Sequence, residues 1–210
     1  MNQLQSGTKI MIPADAVECR LNAYWIPTES LVIGGQHYTF TRNRTSFSGS
    51  GESGDRWTAT YRTYAGYLKV WLVDYRGSEI SLPASAELTL VESSKNTITA
   101  EAGNPAISCR GWLSLSTECS DGKHPSLVAS AGAGAPAIKA DRVMAYRAPH
   151  IELIAGEGST VFAGGTLLEV NAYACSFSGV RSGETDTVTL DPDNMPAELS
   201  RLLIDPQMYM

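Results

Sequence analysis

The residue types that most often carry out chemistry are scattered along this 210-residue chain. His37, His124 and His150 each stand alone, outside the His-x-x-His and His-Glu-x-x-His patterns of metal sites. The chain contains no Gly-x-Ser-x-Gly turn, and its Gly-rich stretches lack the Lys-Ser/Thr that completes a phosphate-binding loop. We therefore predict no catalytic residues, no cofactor and no enzymatic activity.

Two acidic pairs near the C-terminus, Glu184/Asp186 and Asp191/Asp193, are the best candidates for carboxylate chemistry. A glycosidase needs two carboxyls about 5–9 Å apart across a sugar, which neighbours on one turn rarely provide. With Asn194, the second pair also offers oxygen ligands for calcium, but its spacing departs from the EF-hand loop. We predict that Asp193 or Asn194 caps a helix and that no metal binds.

The 4 cysteines, Cys19, Cys109, Cys119 and Cys175, are widely spaced and form no Cys-x-x-Cys pair. This spacing excludes the usual zinc sites. In a reducing compartment such cysteines are typically small buried hydrophobic residues. A Cys109–Cys119 disulfide closing a short loop remains an open alternative.

Aromatic residues are concentrated in the first third of the chain, and a row of exposed rings can hold sugars by stacking. Trp57, Tyr61 and Trp71 are the candidate stacking residues of a carbohydrate-binding or adhesin module, which is our alternative function. Because Trp57 and Tyr61 share a predicted strand face, we favour a role for them in the core or in an interface.

The charge pattern favours contacts between protein subunits. The net charge is −6 and only 18% of residues are charged, which argues against direct nucleic-acid binding because phosphate neutralisation needs clustered Lys and Arg. Residues 36–76 contain six Lys or Arg and three Asp or Glu, whereas residues 179–210 contain two and six. Opposite signs of this kind favour head-to-tail contacts. The candidate interface residues are Arg42, Arg44, Arg56, Arg62, Leu199, Leu202, Leu203, Met208, Tyr209 and Met210.

Alternating apolar and polar residues, separated by turn residues, predict many short strands. The pattern over 17–25 indicates a half-buried strand, and Arg56–Tyr75 reads as a hairpin with its turn at Ala65-Gly66. Further strands are predicted in 86–91, 106–115, 150–154, 166–177 and 185–190. Polar or small-residue runs at 92–96 and 130–137 are interpreted as flexible loops or linkers.

Two segments resemble each other at a constant spacing, since Gly34-Gly35 and Ser46–Gly49 correspond in the same register to Gly164-Gly165 and Ser176–Gly179. Each segment is followed by a Ser-Gly pair, one residue out of register in the second, and then by an alternating Thr-rich run, which suggests a strand-turn-strand unit used twice. Coincidence is the competing explanation, because Ser and Gly are common here.

We predict an all-β fold, an antiparallel sandwich or incomplete barrel, with a short amphipathic C-terminal helix near 195–204. A boundary near residue 95 would divide the chain into β units 1–95 and 96–210, and a single sandwich is the close alternative. Residues 1–13 lack the features of a secretory signal, and no apolar run approaches the roughly 18 residues of a membrane span. We therefore expect synthesis in a cytoplasm and no membrane partner.

The stretch Arg56–Tyr61, followed by Tyr75–Pro83, resembles the opening module of some bacteriophage tail-tip proteins. With the sparse charge and turn-rich β pattern, the chain resembles a bacteriophage virion structural protein. The resemblance implies a non-enzymatic component that assembles with itself and with other virion proteins, without a cofactor, and is located in the virion after synthesis in the host cytoplasm. A tail location and a capsid decoration or minor capsid role are both open.

Overall fold

The computed structural model describes residues 30–41, 44–50, 55–62, 65–83, 85–118, 123–145, 150–164, 166–170, 175–191 and 195–206. Within these residues the chain forms strands and no helix. The strands are β1 (Ser30–Ile33), β2 (Gln36–Thr39), β3 (Ser46–Ser50), β4 (Arg56–Arg62), β5 (Tyr67–Val73), β6 (Arg76–Gly77), β7 (Ile80–Leu82), β8 (Ala86–Val91), β9 (Lys95–Thr99), β10 (Ile107–Cys109), β11 (Trp112–Glu118), β12 (Ser126–Ser130), β13 (Ile138–Lys139), β14 (Arg142–Ala145), β15 (His150–Ile154), β16 (Leu167–Val170), β17 (Cys175–Arg181), β18 (Val188–Thr189) and β19 (Leu199–Pro206).

The middle of the chain winds as a three-sided parallel solenoid. Sheet I has the order β13-β10-β7-β1-β2, sheet II the order β16-β14-β11-β8-β5-β4-β3, and sheet III the order β18-β17-β19-β15-β12-β9-β6. From β5 onwards the chain visits sheets II, III and I in turn, and each strand pairs in parallel with the equivalent strand of the next coil. A fourth coil ends at Phe162, which forms a parallel bridge with Ile138.

The core lies inside the solenoid and is built from stacked apolar columns. In sheet II, Val70 pairs with Leu88 and Leu88 with Leu115, and all three side chains are at most 2% exposed. Ile80, Ile107 and Ile138 form an equivalent buried column in sheet I. Because alternate residues of a strand point to one side, each coil adds one layer to these columns.

Successive coils differ in the number of residues they contain, and the difference lies in the segments that connect the strands at the corners of the solenoid. Leu68 pairs with Ala86, Ala86 with Leu113, Leu113 with Val143, and Val143 with Leu168, so the coils lengthen up to the third and the fourth is shorter again. No fixed repeat length is therefore present in the sequence, although each coil places the same kind of residue in the core.

Antiparallel strands flank the parallel coils, and the two echoed segments lie there. Ser46–Gly49 belongs to β3, which pairs with β4, and Ser176–Gly179 belongs to β17, which pairs with β18. Gly49 pairs with Trp57 in the first unit and Gly179 with Val188 in the second, so the stretch between the two paired residues is one residue longer in the second unit. These pairings confirm the strand-turn-strand interpretation for Ser46–Gly49 and Ser176–Gly179. The Gly-Gly pairs are not equivalent, because Gly34 and Gly35 have positive φ between antiparallel β1 and β2, whereas Gly164 has no positive φ and precedes the parallel strand β16.

The glycines of the echo have a packing role in both copies. A Cβ at Gly49 would overlap the Trp57 indole, and a Cβ at Gly179 would lie 2.8 Å from the Arg201 carbonyl oxygen and 2.9 Å from Leu190 Cδ1. Neither glycine has a positive φ, so the requirement is for space and not for backbone freedom.

Segment 130–137, predicted as a flexible loop or linker, is an ordered corner of the solenoid. A Cβ at Gly132 would overlap the Glu101 carbonyl, and a Cβ at Gly156 would overlap the Gly132 carbonyl, so three successive corners stack closely. Gly103 N donates to Ala133 O at 2.9 Å between two of these corners. Small residues are present here because the backbones touch.

A buried asparagine forms hydrogen bonds at another corner of the solenoid. Asn96 is 1% exposed, and its Oδ1 accepts a hydrogen bond from Tyr75 N at 2.9 Å. Its Nδ2 donates to Ser94 Oγ at 2.9 Å and to Ser126 O at 3.2 Å. The polar run 92–96 therefore links three coils, because these partners lie before β6, before β9 and at the start of β12.

The predicted C-terminal helix near 195–204 is wrong, because Leu199–Pro206 forms β19 between β15 and β17. A register shift opposite Val180 and Arg181 inserts one extra residue into β19, so Leu199 and Leu202 both face the core. A bulge of this kind gives two buried residues three positions apart, which imitates one turn of an amphipathic helix.

The all-β class is confirmed, whereas the antiparallel sandwich is not. The hairpin in Arg56–Tyr75 is confirmed by the antiparallel pairing of β4 with β5, and the predicted strands at 86–91 and 150–154 match β8 and β15. The predicted strand over 17–25 lies outside the described residues. Strands on both sides of residue 95 share each sheet, and the division into units 1–95 and 96–210 stays a prediction.

Candidate functional site

The outer face of sheet II is the richest collection of polar and aromatic side chains among the described residues. It consists of the outward-pointing positions of five neighbouring strands, β4, β5, β8, β11 and β14. The outward side chains are Arg56, Thr58, Thr60, Arg62, Tyr67, Lys69, Trp71, Val73, Glu87, Thr89, Val91, Trp112, Ser114, Ser116, Glu118, Arg142 and Met144. Because the strands alternate strictly, the apolar partners of these residues fill the core.

Lys69 lies at the centre of this face, between two glutamates from other coils. Its Nζ is 2.9 Å from Glu118 Oε1 and 3.2 Å from Glu87 Oε1. The side chain of Lys69 is 14% exposed and that of Glu87 19%, whereas Glu118 is 54% exposed. One ammonium therefore joins β5, β8 and β11 across the sheet surface.

Two hydroxyl groups complete the surroundings of Glu87. Its Oε1 accepts hydrogen bonds from Ser116 Oγ at 2.8 Å and from Thr89 Oγ1 at 3.2 Å. The two hydroxyls are 3.0 Å apart, and Thr89 and Ser116 are 0% and 8% exposed. Buried hydroxyls of this kind need partners, and the glutamate supplies them.

Trp71 lies over this network and is half-buried. Its Nε1 donates to Glu118 Oε1 at 3.0 Å. Lys69 Nζ is 5.0 Å and Arg62 Cζ 5.5 Å from the ring centroid, within the range of cation–π attraction. These contacts fix the orientation of the indole.

Two further rings lie at the end of the face where β5 and β11 begin. Tyr67 and Trp112 have ring centroids 5.5 Å apart and an interplanar angle of 52°. Both side chains are half-buried. The face thus contains three partly exposed rings, two of them indoles, with ionised groups between them.

The ion pair between Lys69 and Glu118 changes their pKa values in opposite directions. Burial alone would lower the pKa of Lys69, but its hydrogen bond to Glu118 and the negative charge of Glu87 outweigh burial and raise the pKa overall. The pKa of Glu118 is lowered, because its carboxylate accepts hydrogen bonds from Lys69 and Trp71. A general acid needs a carboxyl with a raised pKa, so the ionised Glu118 is suited to binding and not to proton donation.

A second polar cluster lies on sheet III and joins histidines that are distant in sequence. His150 Nδ1 on β15 is 2.8 Å from Asp205 Oδ1 on β19, and the His124 and His150 rings are 6.2 Å apart, edge to face. His150 and Asp205 are half exposed, at 53% and 47%. Over the part of the chain that the structure describes, no group of three or more His, Cys, Asp or Glu side chains is arranged to hold a metal ion.

The sequence-predicted stacking residues are not brought together. Trp57 and Tyr61 are 7% and 6% exposed and point into the core, as expected of the core interpretation. Trp71 points outward from the neighbouring strand. Trp57 contacts Tyr38 with ring centroids 4.9 Å apart, so Trp57 packs against another ring inside the protein.

The candidate interface residues are also separated. Arg44, Arg56 and Arg62 are exposed, and Arg44 Cζ lies 4.3 Å from the Phe47 ring centroid. Leu199 and Leu202 are 1% and 0% exposed and belong to the core, whereas Leu203 is half-buried. Arg42, Met208, Tyr209 and Met210 lie outside the described residues.

Cys109 is a free, buried thiol. Its Sγ lies 3.2 Å from the Pro83 carbonyl oxygen and 3.3 Å from that of Trp112, and burial raises its pKa. A buried thiol with a raised pKa is unreactive. The proposed partner, Cys119, lies outside the described residues.

Sequence reasoning did not identify Lys69, Glu87 and Glu118 as a group. They are far apart in the sequence, and only the coil lengths bring them together. The one available signal was the outward position of Lys69 and Glu87 within strands that were predicted correctly, β5 and β8, whereas Glu118 lies beyond the predicted strand 106–115.

Comparisons with protein families, curated proteins and solved structures found no match to this chain. Among the described residues, no helix is long and apolar enough to cross a membrane.

Proposed function

We propose that this protein is a non-enzymatic structural component of a virus particle and that it assembles with copies of itself and with other virion proteins. The single observation that best supports the proposal is the difference between the two ends of the solenoid. One end has exposed arginines beside an outermost strand, and the other has exposed carboxylates beside an outermost strand. The virus particle itself is suggested by the sequence resemblance alone.

At the first end, β3 is the outermost strand of sheet II among the described residues, and β4 lies beside it. Arg44 precedes β3, Arg56 begins β4, and both side chains are exposed. An outermost strand has backbone donors and acceptors without a neighbour on one side, which is a template for pairing with another chain.

At the other end, β18 is the outermost strand of sheet III within the part of the chain that the structure describes. The turn between β17 and β18 contains Glu184 and Asp186, and both are exposed. Complementary charge steers encounter and sets orientation between partners. A contact between unlike ends of identical subunits generates rings or filaments, which suits a component present in many copies.

The test is light scattering after size-exclusion chromatography of the full chain at low and high ionic strength. We expect oligomers at low salt that dissociate near 1 M salt, where the screening length falls to about 3 Å. The double variant Arg44→Glu/Arg56→Glu should be a monomer, as should Glu184→Lys/Asp186→Lys. A mixture of the two variants should associate again, because each supplies the charge that the other has lost.

Lys139→Glu is the control, because Lys139 is exposed on β13 in sheet I, whereas the two groups lie beside strands of sheets II and III. It should assemble like the unaltered protein. A monomer at all salt concentrations, or oligomers that neither double variant disrupts, would contradict the proposal. Mass spectrometry of purified particles would test the virion location separately.

A further inference from the structure

We propose that the outer face of sheet II binds a neutral glycan, with Trp71 as the principal stacking residue and Tyr67 and Trp112 as a second aromatic contact. This site differs from the sequence-based alternative, because Trp57 and Tyr61 are buried. It also goes beyond assembly, since the rings proposed to contact the glycan are not among the charged residues proposed for the contact between ends.

Trp71 is preorganised for stacking. Its Nε1 is already bonded to Glu118, and Lys69 lies 5.0 Å from the ring centroid. The half-buried indole therefore retains an exposed part in a fixed orientation. A rigid aromatic ring loses little side-chain entropy when a ligand stacks on it.

The charged groups in contact with Trp71 or Lys69 balance, which favours a neutral ligand at this part of the face. Lys69 and Arg62 contribute two positive charges, and Glu87 and Glu118 contribute two negative ones. Lys69 is paired with both glutamates, at 3.2 and 2.9 Å. An anionic polymer would need an excess of cations, whereas a polyhydroxylated chain is recognised by a mixture of donors and acceptors.

Small hydroxyl side chains extend the surface on one side of Trp71. Thr58 pairs with Trp71 across β4 and β5, and Ser48 pairs with Thr58 across β3 and β4. Thr58 and Ser48 are exposed. Short polar side chains beside a large ring leave the ring accessible and supply hydrogen-bonding groups, the usual combination of a small-molecule site.

The experiment measures binding of the full chain to soluble polysaccharides by isothermal titration calorimetry. The neutral probes are dextran, laminarin, galactomannan and arabinoxylan, and the anionic probes are polygalacturonate and hyaluronate. We expect at least one neutral probe to bind. Trp71→Ala should weaken that binding about tenfold or more, and Trp71→Phe, which keeps a ring but loses the bond to Glu118, should weaken it less.

Lys139→Ala is the matched surface control and should bind as the unaltered protein does. Circular dichroism and thermal unfolding establish that each variant is folded. If Trp71→Ala is unfolded, Trp71→Phe and Trp112→Ala carry the test, and at least one of them must weaken binding.

Three outcomes would overturn the inference: no neutral probe binds, only the anionic probes bind, or the aromatic variants bind unchanged. The oligomeric state of Trp71→Ala separates this inference from the assembly proposal. Trp71→Ala should assemble normally. If it becomes a monomer and no glycan binds, the face is a protein interface and the glycan inference fails while assembly stands.

Discussion

Replacing Asn96 by leucine tests whether the buried corner holds the coils together. Asn96 accepts a hydrogen bond from Tyr75 N and donates to Ser94 Oγ and Ser126 O. Leucine has the same branching and the same number of side-chain heavy atoms as asparagine, but none of these atoms is polar. The substitution therefore removes the hydrogen bonds while keeping the branched shape of the side chain.

The expected loss of unfolding free energy is about 2 kcal/mol. The buried Tyr75 N–H loses its partner, which costs roughly 1–3 kcal/mol, and Ser126 O loses one bond as well. Ser94 Oγ keeps its bond to Val91 O at 2.6 Å, and the apolar leucine regains part of the cost by its burial. The total stability of a domain is about 5–15 kcal/mol, so the change is readily measured.

The assay is urea unfolding followed by tryptophan fluorescence. With a slope near 2 kcal/mol per molar urea, the midpoint should fall by about 1 M. Ser126→Ala is the control, since it keeps the backbone carbonyl that Asn96 contacts, and it should change stability by no more than about 0.5 kcal/mol. An Asn96→Leu midpoint equal to that of the control would refute the reasoning.

Three further substitutions test other parts of the fold. Gly132→Ala should lower the unfolding free energy by about 1–3 kcal/mol in thermal unfolding, because its Cβ would overlap the Glu101 carbonyl; a stability equal to that of the unaltered protein would show that the corners can separate freely. Leu202→Ala should cost about 2–5 kcal/mol and speed amide exchange in β15 and β17, because its fully buried side chain lies between them; unchanged exchange would argue against β19 as a core strand. Glu118→Gln should lose up to about 0.5 kcal/mol at pH 7, since this half-exposed carboxylate is screened by solvent. Folding lowers the pKa of Glu118, so its ionised carboxylate stabilises the fold above the unfolded-state pKa, and this stabilisation is lost as the pH falls through the folded-state pKa. The Glu118→Gln variant and the unaltered protein should therefore become equally stable in acid. A difference that persists in acid would contradict the ion-pair explanation.

Local pattern was enough to predict strands but not their partners. Arg56–Arg62 and Leu68–Val73 alternate strictly around Ala65-Gly66, and a hairpin follows from that pattern alone. The same alternation in β8 or β11 is equally compatible with parallel and antiparallel pairing. Because the coils differ in length, the sequence has no period to detect, and the solenoid was not predictable.

The wrong predictions have local causes. Leu199 and Leu202 have helical spacing because of a bulge in β19. β15 and β17 each present a strand edge to this segment, and because only an extended segment can pair with such an edge, the pairing overrides helix propensity. Segment 130–137 has the composition of a linker because its backbone touches the corners on either side. The group around Lys69 depends on pairings that join distant residues, so it could not be foreseen.

The position of β19 constrains the order in which the molecule can form during synthesis. Each of the first coils can stack on its predecessor once it has left the ribosome, since repeat proteins need only their neighbours. β15 and β17 precede β19 in the chain, yet each pairs with β19 and they are separated by it. β17 therefore cannot join sheet III until residue 206 has emerged from the ribosome. In ribosome-bound chains that end before β19, we expect protease to cleave β17 while β8 and β11 resist cleavage.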